Sequence, residues 1–106
     1  MSNHSESMSR VRNLLQLANR ANSRLSAAAI GRHLEHLAAD GYDRDRVVGA
    51  VEAVRDATLG LLMAVHTERD VRQCRAAAIR SADYLEAVLL LVSMPHEAAE
   101  PWSVAA

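Results

Sequence analysis

Val47, Val51, Val54, Thr58, Leu61 and Val65 follow one another at steps of four, three, four, three and four residues. An α-helix completes a turn in about 3.6 residues, so this alternation lays the six side chains along one narrow seam. A strand alternates with a period of two and would scatter them over both faces. The seam therefore predicts a central helix that must bury one stripe against other helices. Ala50, Ala57 and Ala64 flank it and allow a neighbouring helix to approach closely. Leu59, Leu62 and Met63 make its second half apolar nearly all round, which predicts cover on more than one side.

The same periodicity recurs on either side. Val11, Leu14, Leu15, Ala18, Ala21 and Leu25 keep helical spacing from Met8 onward, and Ile30, Leu34, Leu37 and Ala38 continue on a different stripe. The change of phase predicts either two helices or one helix from Ser9 to Ala39 bent near Asn22 and Ser23. In the first reading Ser26 is the N-cap of the second helix, with Leu25 and Ile30 as a hydrophobic staple. Asp40-Gly41-Tyr42-Asp43 reads as a tight turn, with Gly41 suited to the left-handed residue that closes a helix and Asp43 to capping the next one.

A last helix carries Val71, Cys74, Ala78, Ser81, Leu85, Val88 and Val92, is apolar all round from Ala87 to Val92, and is stopped by Pro95. Between the third and fourth helices the seam must shift frame, because its continuation would bury Glu68, Arg72 and Arg75. Thr67 with Asp70 resembles a capping box, so a sharp hairpin is expected there, and one long helix with a phase slip is the alternative.

At 106 residues the chain has room for one domain. The expected fold is all-α: an antiparallel bundle of about four helices over residues 8–94, with a flexible N-terminus at 1–7 and a tail at 95–106. The two segments that are apolar all round exceed what so short a bundle covers, so homodimerisation is expected to complete it. Phe is absent, and Tyr42, Tyr84 and Trp102 are the only aromatic residues, so the core is built of short side chains that suit close helix packing better than enclosing a large ligand.

Charge and composition narrow the function classes. A net charge of −1 gives no field to draw nucleic acid, and the all-arginine basic set fits a GC-rich coding sequence. Ser26 to Val48 spaces out superficially like helix-turn-helix. Arg44 and Arg46 there alternate with Asp43 and Asp45, however, so a groove-reading helix is not expected. The N-terminal residues lack the basic and apolar regions of a signal peptide, and the longest apolar run, Ala87 to Val92, is too short to span a bilayer. With a single cysteine, the expectation is a cytoplasmic bacterial protein with no membrane association.

No catalytic constellation stands out. Asp40, Asp43 and Asp45 gather where capping accounts for them, Glu52 and Asp56 sit on a charged helix face, and Gly31, Gly41, Gly49 and Gly60 are isolated. His33 with His36, and His66 with Cys74, are the groups to weigh as metal ligands, although a tight tetrahedral site needs three or four convergent donors. Val54 to Ala64 resembles the central helix of the small copper- and formaldehyde-responsive repressors, over one helix of four. Residues 44–50 lack the cysteine of that family, and His66 and Cys74 stand eight apart where the family's pair stands four apart, so its function does not carry over. The chain therefore reads as a non-enzymatic protein-interaction or regulatory module without a cofactor, of the adaptor, chaperone or immunity type. Its expected partner-binding residues are Leu59, Leu62, Met63, Leu89, Leu90 and Trp102. A metal- or ligand-responsive transcriptional regulator is the alternative.

Overall fold

The computed structural model describes residues 3–39 and 44–92. They form four helices: α1 (Asn3–Leu17), α2 (Ser23–Ala39), α3 (Arg44–Thr67) and α4 (Val71–Val92). Each helix packs on the next, and α4 returns to α1, with α3 and α4 sharing the most extensive contact. Cross-links fix the directions. Arg12 and Arg75 tie α1 to α4 with opposite sequence order, since Arg75 reaches the α1 carbonyls of Leu15 and Gln16 while Arg12 reaches Asp83 and Glu86. Ser23 at the start of α2 meets His66 at the end of α3. The result is an up-down-up-down antiparallel bundle.

The central seam packs as its spacing requires. Val47, Val51, Val54, Thr58, Leu61 and Val65 are all buried, and the Thr58 hydroxyl satisfies itself by donating to the Val54 carbonyl at 2.7 Å. Met8, Val11, Leu15 and Ala18 enter from α1 and the residues after it, Ile30, Leu34 and Leu37 from α2, and Ala78, Ala82, Leu85, Val88 and Leu89 from α4. Buried Ala50 and Ala64 on α3, and Ala78 and Ala82 on α4, hold side-chain bulk to a minimum where these two helices press together. Residues 3–7, expected to lie outside the bundle, are helical and begin α1.

Two turns close without glycine or proline. After Leu17 the chain folds back through residues 18–22, held by a reciprocal asparagine pair. Asn19 Oδ1 accepts from the backbone N–H groups of Ala21 and Asn22 at 2.8 and 3.0 Å. Asn22 Oδ1 accepts from the Asn19 N–H at 2.7 Å, and Asn22 Nδ2 donates to the Leu17 carbonyl at 2.9 Å. The Asn22 carbonyl then accepts the first α2 bond, from the Ser26 N–H at 2.9 Å. This corrects the expected helix start. Asn22, not Ser26, flanks the N-terminus, and Leu25 is 77% exposed instead of acting as a staple.

The α3–α4 junction is a sharp hairpin. Glu68 takes a left-handed φ of 58°, and the Arg69 N–H donates to the Ala64 carbonyl at 3.1 Å, the six-to-one bond of a Schellman ending. Thr67 does not cap α4. As the last residue of α3 it donates back to the Met63 carbonyl at 2.9 Å, while the Asp70 carbonyl accepts the first α4 bond from Cys74. The expected turn at 40–43 and the tail from 95 lie outside the described residues. No helix among the described residues is long and apolar enough to cross a membrane.

Candidate interaction surface

The seam that buries one stripe of α3 leaves the opposite stripe outward. Leu59 and Met63, one turn apart, are 61% and 66% exposed and lie side by side on that face. Leu62 is half-buried beside them and lines a groove of about 270 Å³ between α2 and α3. Ala27 and Gly31 keep the α2 wall of this groove low, and Ile30, Leu34, Thr58 and Leu59 contribute the rest of its apolar lining. Glu35 on α2 and Arg55 on α3 line its other end, and neither forms an ion pair with another described residue.

On α4 the expected patch divides. Leu90 is 64% exposed, whereas Leu89 is buried at 2% and is not a surface residue. Leu89 lies four residues after Leu85 and so falls on the core stripe with Ala82 and Ala78; Leu90 and Leu91 are rotated away from it. That rotation, readable from the Leu85 and Val88 seam, also identifies exposed Leu91, which the run of leucines concealed. The hairpin sets Thr67 level with Val71, so Leu91 lies about 18 Å along the bundle from the level of Leu59. The two apolar areas are thus separate. Leu17, Leu25 and Tyr84 are further exposed apolar side chains that sequence reasoning did not select. Trp102 lies outside the described residues.

The metal candidates do not converge. His66 Nε2 lies 2.9 Å from the hydroxyl of buried Ser23, where the pair joins the ends of α3 and α2. Cys74 is half-buried in a separate cleft with Met63, Thr67, Arg69 and Asp70. His33 is half-buried on α2, and its imidazole is held below the ordinary value first by burial and then by the positive charge of Arg10 and Arg32 and by His36. Among the described residues no three His, Cys, Asp or Glu side chains are grouped to hold a metal ion.

The charged side chains that are engaged serve the bundle. Arg12 bridges α1 to both Asp83, at 2.8 Å, and Glu86 on α4, and these carboxylates raise its pKa. Arg75 donates to the Leu15 and Gln16 carbonyls at 2.6 and 2.9 Å, capping the C-terminal end of α1 from another helix. Compared with known proteins, the chain matches no family model, no curated protein and no solved structure.

Proposed function

We propose that this chain is a non-catalytic helical module that works by binding protein through its outer helix faces, with homodimerisation as part of that role. The observation that carries this reading is the exposure of large apolar side chains on α3 and α4, Leu59 and Met63 in one area and Leu90 and Leu91 in another. Such side chains cost little singly, but paired on a ridged helix beside an apolar groove they offer a surface that gains by being covered. The bundle interior is filled by Leu, Val, Ile, Met and Ala, and the buried polar side chains among the described residues have partners.

Native mass spectrometry of the purified protein tests the reading. A species of twice the 11.5 kDa chain mass, or a complex with a second protein, supports it. A bare monomer with no protein partner at any concentration refutes it. A mass increment matching a metal ion, lost on Cys74→Ala or His66→Ala, would replace it with the regulator reading.

A further inference from the structure

The α2–α3 groove carries matching features on its two walls. The contact between Ser23 and His66 sets the level of the antiparallel pair. Counting from it, Leu62 stands level with Ala27, Leu59 with Ile30 and Gly31, and Arg55 with Leu34 and Glu35, each to within about one residue rise of 1.5 Å. One wall therefore offers a notch of small residues and then a negative charge. The other offers projecting leucines and then a positive charge, in the same order and at the same heights.

A two-fold axis running along the groove turns one wall onto the other. We propose that the occupant of this groove is a second copy of the chain, docked about such an axis so that α3 of each copy lies over α2 of its partner. Leu59 then enters the notch at Ala27 and Gly31 of the other copy, and Arg55 meets the other copy's Glu35, with each contact made twice. The alternative two-fold, across the helices at the level of Leu59 and Gly31, sets Arg55 over Leu62 and Glu35 over Ala27, so both charges face apolar side chains. Charge complementarity selects the first arrangement. The notch is open to its occupant: a Cβ added at Gly31 would meet nothing within 4 Å. This inference rests on the interaction-module reading and names its partner and its face.

Sedimentation velocity from micromolar to hundreds of micromolar concentrations tests it, with circular dichroism confirming that each variant remains helical. The wild type is expected to dimerise. Gly31→Leu fills the notch and should leave a monomer. Glu35→Arg and Arg55→Glu each place like charges together twice per dimer and should weaken association about tenfold or more, whereas the double exchange should restore it. A dimer indifferent to all of these substitutions overturns the assignment of this face while leaving the interaction reading intact. A one-to-one complex with a different protein and no self-association does the same. A monomer with no partner of any kind overturns both.

Discussion

Gly49 and Gly60 lie inside α3 with ordinary helical backbone, and a Cβ added at either would meet nothing within 4 Å. Replacing glycine by alanine in a helix interior removes backbone freedom from the unfolded chain and gains about 0.5–1 kcal/mol when the methyl group fits. The two sites are eleven residues apart, about 16 Å along the helix, so their effects should add. The double variant is expected to be more stable by about 1–2 kcal/mol, or about 4–8 °C in melting midpoint for each kcal/mol. Urea unfolding followed by helical ellipticity gives the cleaner number. With a slope near 1–2 kcal/mol/M the midpoint should rise by about 0.5–2 M with the slope unchanged. A fall would refute the reasoning directly, because it would mean that the new methyl groups meet atoms that this chain does not itself supply. Loss of stability at Gly60 alone would locate such a neighbour beside Met63, in the cleft that Gly60 shares with Cys74.

Three further outcomes follow from the contacts. Arg75→Met leaves the Leu15 and Gln16 carbonyls without their charged donor and should lower stability by about 1–3 kcal/mol in the same urea assay, with Arg75→Lys recovering part of the loss. Glu68→Gly relieves a left-handed residue at the end of α3 and should stabilise by about 1 kcal/mol, since the exposed ion pair it gives up with Arg20 contributes little. His33 has a folded pKa below its reference value of 6.5, so between the two values the unfolded chain binds more protons. Its contribution is present above the unfolded value and is lost as pH falls through the folded one. Stability should therefore drop on acidification from neutral pH, and His33→Gln should flatten that slope; an unchanged slope would discount the effect of burial first, and then of Arg10 and Arg32, on this imidazole.

Helix number, order and core stripe were legible because burial repeats at the helical period wherever a stripe is long. The α3 seam from Val47 to Val65 is the clearest case. The ends of helices were less legible, because they depend on hydrogen bonds that periodicity does not encode. Ser26 has the right chemistry for an N-cap, yet the spacing of Asn19 and Asn22 allows each to satisfy the other's backbone and sets the helix start earlier in the chain. Thr67 likewise serves the helix it ends, not the one it precedes. Apolar runs were the other source of error. Leu89 and Leu90 are chemically identical neighbours, and only their rotation relative to Leu85 puts one in the core and the other outside.

The groove depended on a different kind of information, the relative height of residues on two helices. Neither the Ala27–Gly31 notch nor the Leu59 ridge is distinctive alone, and isolated glycines in helices are common. They become a matched pair only when the Ser23–His66 contact fixes how α2 and α3 slide against each other. The same registration makes assembly and stability one problem. A partner that binds only the folded chain raises its apparent stability with concentration, so a dimer built on this face should unfold at a higher urea midpoint in concentrated than in dilute solution. Gly31→Leu should abolish that dependence. In dilute solution, where no partner is present to be displaced, it should stabilise the bundle, because leucine is the better helix former. Opposite effects of one substitution at the two ends of a concentration series are difficult to obtain unless the notch is both open in the monomer and filled in the dimer.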